Sequence, residues 1–288
     1  MPLEDRWIVS NALAAFAAWI ERDVVHAHGR DAVAFLQGQL SQDIGALPTG
    51  ASAWSLLLEP NGKVTAWLRA TRVGDAEIVL DVDPGAGAVV VARLERFKLR
   101  TDCTLDLRER EPALAVRGAS PPEATSGLPI VWPGIDGYDQ LGPSGTPPEG
   151  APVVDGAQYE AVRIGCGVPR SGVDITADTI PAEAGGWLID ASVSFTKGCY
   201  TGQELVARVD SRGGNVPRPL RRLRADGRVD ELRAGADVTT ADGKAVGRVT
   251  SAAYDVAADA TVALAPLARS VEVPGSVVVG GAEVAAQP

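Results

Sequence analysis

Apolar and polar positions along the first hundred residues change rhythm several times. From Asp31, placed as a helix N-cap, Val33, Leu36 and Leu40 recur on one face at helical spacing. Ala51 to Glu59 and Lys63 to Thr71 read as two strands. Pro60-Asn61-Gly62 lies between them, and Asn-Gly is a strong hairpin signal because both residues tolerate positive φ. Glu77 to Val82 predicts a third strand, Val91, Leu94 and Phe97 a helix, and Cys103 to Leu107 a further strand. Hairpins mixed with helices predict an α+β sandwich, not a doubly wound parallel sheet. Ahead of these elements, the apolar run Ala12 to Ile20 predicts a buried helix and is too short to cross a bilayer.

From Ala119 to Pro152 the pattern breaks into Pro, Gly and Ser, with a strand-like patch only at Leu128 to Trp132. This stretch reads as a long irregular connection or a small meander. A helix then runs from about Asp155, with Tyr159, Val162 and Cys166 on one side and Pro169 closing it. Beyond Asn215, short Val-rich runs and an Asp242-Gly243 hairpin predict a small all-β unit. Three portions result: 1–118, 119–214 and 215–288.

Composition narrows the function. The 288-residue chain is 45% apolar and carries a net charge of -10, so its surface as a whole repels nucleic acid and anionic membrane. Two basic runs oppose that background: Arg93, Arg96, Lys98 and Arg100, and Arg208 through Arg224. Each reads as a solvated face or as an anion site. Glu4, Asp5 and Arg6 replace the cationic flank of a secretory signal, and the expected location is the cytoplasm. Cys103, Cys166 and Cys199 are odd in number and far apart, which fits a reducing compartment and offers no four-ligand metal site. Cys103 and Cys166 fit core positions. His26 and His28 share a strand face without further ligands nearby.

The densest group of specialised residues is Lys197-Gly198-Cys199-Tyr200-Thr201-Gly202-Gln203-Glu204. Thr201 and Glu204 have the spacing of a capping box, which would start a helix at Leu205 and Val206. Cys199 would then sit just before a helix N-terminus, near the Lys197 ammonium, and both favour a thiolate. Gly198 and Gly202 would leave the sulfur open. The alternative is an ordinary helix start beside a buried cysteine.

This segment resembles the Lys-Gly-Cys-[Phe/Tyr]-x-Gly-Gln-Glu motif of the YgfZ family, folate-binding proteins related to the glycine cleavage T-protein, an aminomethyltransferase. Gly29 to Leu40, Pro60 to Lys63, Arg96 to Arg100, Arg163 to Pro169 and Ile180 to Glu183 resemble the family's pattern in the same order. The resemblance implies a T-protein-like α+β fold, with two α+β portions and a C-terminal β-barrel around a central folate channel. It implies a tetrahydrofolate-binding accessory protein for assembly or repair of iron–sulfur enzymes, one of which modifies transfer RNA. Cys199 would be the reactive thiol and Lys197 its stabiliser, with Tyr200, Thr201, Gln203 and Glu204 supporting the loop. The partners expected are folate and iron–sulfur enzymes or assembly factors, with no nucleic acid or membrane bound directly, and the chain a monomer. Arg163, or the run Arg96, Lys98 and Arg100, would meet the folate tail.

Two departures matter. Ala66 and Trp67 stand where the T-protein has its Asp pair, and Gly165 where it has a pterin-anchoring Glu. Glu183 is a candidate substitute. Without the Asp pair, aminomethyl chemistry loses its acid–base group. A folate-dependent one-carbon transferase or demethylase using another base is the rival reading. A third reading has Cys199 share a transient cluster with a partner or second copy.

Overall fold

The computed structural model describes residues 15–121 and 127–288. Two seven-stranded sheets carry the architecture. In the first, β1 (Phe16–His28) is central, between β4 (Glu77–Val82) and β5 (Thr104–Arg117). The hairpin β2 (Ser52–Leu58) and β3 (Val64–Gly74) extends one side, and the pair β6 (Leu128–Pro129) and β7 (Gly137–Leu141) the other. The order is β2-β3-β4-β1-β5-β7-β6, all pairs antiparallel.

The two-residue period of a strand sends neighbours to opposite faces. Leu57 therefore enters a core with α1 (Ala32–Gln39) and α2 (Gly87–Phe97), alongside Leu68, Leu80 and Leu94. Leu56 and Leu58 enter the core on the other face, with Trp54, Trp67 and residues of α3 (Gly156–Gly165) and α4 (Gly186–Ser192). A sheet covered on both faces explains why β2 ends in three consecutive leucines. Each stabilises the fold by roughly 1.5–3 kcal/mol.

The second sheet has the order β10-β9-β13-β14-β8-β12-β11 and begins at β8 (Leu220–Asp226). Its remaining strands are β9 (Asp237–Thr239), β10 (Ala245–Arg248), β11 (Ser251–Asp255), β12 (Ala260–Pro266), β13 (Gly275–Val279) and β14 (Ala282–Gln287). Edge strand β10 curls back to the end of β12, where Ala268 N–H donates to Val246 O at 2.7 Å. The sheet encloses Leu223, Val238, Leu267 and Val279. Helix α3 packs on its outer side through Ala161 and Ile164. Helix α3 starts where its sequence predicts, and Asp155 caps it, accepting from Gln158 N–H at 2.9 Å.

Three readings of the sequence need correction. The helix expected over Ala12 to Ile20 is a strand from Phe16 onward; Ala12 to Ala14, with Glu4 to Arg6, lie outside the described residues. The run is apolar because Phe16, Ala17 and Ala18 are buried mid-sheet, where continuous apolar sequence is as compatible with a strand as with a helix. The Pro-rich stretch holds a second strand, β7, which adds to the first sheet beside β5. Asp31 stands at the start of α1 without a capping bond; its carboxylate accepts from Asp102 N–H instead. Among the described residues, no helix is long and apolar enough to cross a membrane.

Candidate functional site: an exposed cysteine loop and an aromatic cleft

The motif loop is fastened to the end of α1. Lys197 Nζ donates to three backbone carbonyls, those of Gln37 at 2.6 Å, Leu40 at 2.7 Å and Gln42 at 2.9 Å. The Gln37 and Leu40 carbonyls are among those that a helix C-terminus leaves without intrahelical partners. The Gln42 carbonyl lies just past the helix and also accepts from Ile44 N–H. A cation there meets the negative end of the helix dipole. Burial draws the Lys197 pKa down to about 8, opposed by Asp43. Thr201 N–H adds a bond to Gly38 O, and Ser194 N–H one to Ser41 O.

The capping box expected from Thr201 and Glu204 is not formed. Helix α5 runs over Gln203–Ser211, one residue too late for Thr201 to cap it, and the cap position falls to Gly202 at φ 85°. Gly202 is constrained twice: a Cβ there would sit 2.7 Å from Glu59 O and 2.8 Å from Leu58 Cβ. At Gly62 in the β2–β3 turn, also at positive φ, a Cβ would come within 2.4 Å of Leu205 Cβ. The hairpin and the motif helix are therefore pressed backbone to backbone. The Gln203 side chain reaches back to accept from Tyr200 N–H at 3.1 Å. Thr201 Oγ1 turns toward Gln39 Oε1, and Glu204 is exposed.

Cys199 projects from this loop into solvent, whereas Cys103 and Cys166 are buried as their sequence contexts predict. Burial pushes the Cys166 thiol up to about 12. The Gly198 side is open. The three protons of Lys197 are taken by carbonyls, so Lys197 makes no hydrogen bond to Cys199.

A second feature lies on the same sheet and was not legible as a site. Trp19, Trp54, Trp67, Trp132 and Tyr159 wall a cleft of about 850 Å³ counted to its mouth. Trp54 and Trp67 stack at 4.2 Å between ring centroids. Beneath them lies a buried ionic network. Arg69 is fully buried and bonds Asp81 at 2.9 Å and Asp139 at 3.1 Å. Arg117 bonds Asp139 at 2.9 Å and the Tyr159 hydroxyl at 2.9 Å, with its guanidinium 4.2 Å from the Trp132 ring centroid. Arg22 joins Asp81 to Asp83. Burial alone would raise the Asp139 pKa, but Arg117, Arg69 and Arg22 override it and hold the carboxyl below its ordinary value.

Every carboxylate lining the cleft is ion-paired. Glu21 is paired with Arg110, Asp83 with Arg22, Asp139 with Arg69 and Arg117, and Glu160 with Arg163 and Arg170. The Asp139 carboxylate, held below its ordinary pKa by Arg117, Arg69 and Arg22, is a poor proton acceptor at neutral pH. Trp67 stands in the cleft wall, while Ala66 is buried in the opposite core.

Of the expected folate contacts, Arg163 lines the cleft, tied to Glu160, to Asp174 at 3.1 Å and to Ser251 at 3.1 Å. Glu183 does not line it. It is buried at the 3-10 turn Pro181–Ala184, accepting from Ile180 N–H and Arg218 N–H, each at 3.2 Å. Arg96 pairs with Glu59 and Lys98 with Glu95, also away from the cleft, as is Arg100. Cys199 does not line the cleft. The cleft wall is tied to the chain ahead of the motif loop, where Trp67 Nε1 donates to Ser192 Oγ at 2.8 Å. His26 pairs with Glu77 and His28 with Asp106, and no group of three metal-binding side chains occurs among the described residues.

The fold defines the class. It is the α+β fold of the T-protein: the glycine cleavage aminomethyltransferase from Bartonella henselae superposes with a TM-score of 0.72 over 97% of this chain and 87% of that one, at 20% identity. In sequence the chain is similar to proteins named tRNA-modifying protein YgfZ and to IBA57 iron–sulfur cluster assembly factor homologues. It is 27% identical to YgfZ of Edwardsiella ictaluri over 66% of its length and 65% of the relative's. It is 29% identical to the mitochondrial IBA57 homologue of Mycosarcoma maydis over 67% of its length and 53% of the relative's. An uncharacterised Haemophilus influenzae protein is 28% identical over 70% of this chain and 71% of its own. The chain thus spans between half and seven-tenths of these relatives. No family model matches.

Proposed function

We propose that this protein is a cytoplasmic, tetrahydrofolate-binding accessory factor for assembly or repair of iron–sulfur enzymes, acting through Cys199. The similarity to proteins named for iron–sulfur cluster assembly and for tRNA modification supports the role. The observation that carries the folate reading is the aromatic cleft with its ionic floor. A pterin is a flat heterocycle with a hydrogen-bonding edge, suited to stacking on Trp54, Trp67 or Trp132. Its anionic tail suits the rim at Arg170, which is part-exposed, with the buried Arg163 behind it.

Binding is favoured over T-protein chemistry because Ala66 and Trp67 supply no carboxylate and the cleft's own carboxylates are all paired. Incubation with an amine one-carbon donor and tetrahydrofolate is expected to yield no methylenetetrahydrofolate. Cys199 is exposed and does not line the cleft, so its chemistry is directed at a partner. Cys199→Ser should abolish support of iron–sulfur enzyme activity in cells while leaving tetrahydrofolate binding intact. Retained activity would remove the thiol from the mechanism; joint loss of both would contradict separate sites.

A further inference from the structure

The other half of the first sheet's cleft-bearing face carries a second cavity. Arg69 and Asp81 stand opposite each other on β3 and β4, and Thr71 and Val79 form the next pair on the same face. Beyond this pair the face opens into a space of about 1130 Å³ to its mouth, walled by Val24, Val73, Val79, Leu128 and Leu141. Thr71 lines it at 7% exposure, and its buried hydroxyl has no hydrogen-bond partner. A buried polar group without a partner is uncommon and calls for an explanation.

The lining also holds His26, whose Nδ1 lies 3.4 Å from Glu77 Oε1, and two charged side chains, Arg108 and Glu111. In a regular strand, residues three apart point to opposite faces. Here β5 bulges: Val24 pairs with Arg108 and Arg22 with Glu111, so the single residue Asp23 faces both Glu109 and Arg110. Arg110 takes φ 54°, and the buried Asp23 carboxylate fixes the bulge by accepting from Arg110 N–H at 3.0 Å. The extra residue brings Arg108 and Glu111 to one face. Bulges re-aim side chains in this way beside functional sites. Neither side chain makes an ion pair or hydrogen bond among the described residues. Each carboxylate of the aromatic cleft, by contrast, is paired.

We infer that this cavity binds a small zwitterion with an apolar side chain, an apolar α-amino acid, its carboxylate on Arg108, its ammonium on Glu111 and its side chain among the valines and leucines. The proposal does not depend on the folate reading, because the two cavities share no lining residue.

Calorimetric titration of the full chain tests it with L-leucine, isocaproate and isoamylamine as probes. Leucine should bind saturably, at least about tenfold tighter than alanine, given roughly fourfold per buried methylene. Isocaproate, lacking the ammonium, and isoamylamine, lacking the carboxylate, should each bind at least tenfold more weakly. Arg108→Gln and Glu111→Gln, both at exposed or half-exposed positions, should each weaken leucine tenfold or more with unchanged melting temperature. Thr71→Val should weaken it a few fold. Tetrahydrofolate should not compete. Absence of saturation at 10 mM leucine, equal binding of either single-charge analogue, or competition by tetrahydrofolate would overturn the proposal.

Discussion

The two sheets have seven strands each but bury different things. The C-terminal sheet encloses a core of aliphatic side chains, such as Leu223, Val238 and Val279. Among polar side chains of its strands it buries only the scattered Ser251, Asp255 and Thr261. The N-terminal sheet buries Arg22, Arg69, Arg117, Asp81 and Asp139 within its strands. Replacing buried ion pairs with well-packed apolar residues is often neutral or stabilising, so such a network is weak evidence for a stability role. Its location, under aromatic walls and between two cavities, indicates what it serves. It holds Trp132 and Tyr159 in place and keeps the cleft polar at its base. The C-terminal sheet, with no comparable cluster, acts as the support against which α3 and Arg163 are set.

Substitutions can break this comparison. The largest effect is expected at Asp139. Asp139→Ala leaves Arg69 and Arg117 buried without their shared carboxylate and should cost about 3–5 kcal/mol by denaturant titration. Asp139→Asn keeps the shape and should lose the same charge effect. Leu223→Ala, in the aliphatic sheet, should cost about 2–4 kcal/mol from transfer and cavity terms, with tetrahydrofolate affinity unchanged in the fraction that folds. If Leu223→Ala altered ligand affinity as Asp139→Asn does, the division between a site-bearing and a supporting sheet would fail.

The same comparison predicts an acid response. Asp139 has a folded pKa below its unfolded value of 3.8, so its contribution is fully present above that unfolded value. It is lost as pH falls through the lower folded value. Acid unfolding of the wild type should therefore be steeper below about pH 4 than that of Asp139→Asn. Parallel acid profiles would show that the network does not favour the ionised carboxylate.

Smaller effects are expected at the motif loop. Lys197→Met removes three charge-assisted bonds to carbonyls and should cost about 1–3 kcal/mol, loosening the loop without touching the cleft. Cys199→Ser, at an exposed position, should stay within about 0.5 kcal/mol of the wild type. A large destabilisation there would mean that the sulfur packs against something and is not presented to a partner.

Much of the fold was legible. The β2–β3 hairpin and its turn, α2, and α3 from Asp155 each follow from local signals of period or turn chemistry. The strand at Phe16 was misread because apolar sequence buried on both faces has no period. The motif was legible as a motif but not in its local geometry. Thr201 and Glu204 have capping-box spacing, yet the close approach of Gly202 to Leu58 and Glu59 is a tertiary constraint that moves the helix start. The cleft was invisible for the same kind of reason. Its residues come from β1, β2, β3, β5, β7 and α3, and only the register of the sheet assembles them. A faint signal existed: Arg22-Asp23, Arg69 and Arg117 interrupt otherwise apolar strand sequence, and charges at such positions must find partners when buried.

The central claim is that the aromatic cleft, and not the cysteine loop, holds the folate. Titrating the protein with tetrahydrofolate while following tryptophan emission tests it most directly, since four of the six tryptophans line that cleft. The account predicts saturable quenching, equal in wild type and Cys199→Ser and at least about tenfold weaker in Trp132→Ala. Unquenched emission at millimolar ligand, or quenching abolished by Cys199→Ser, would contradict it.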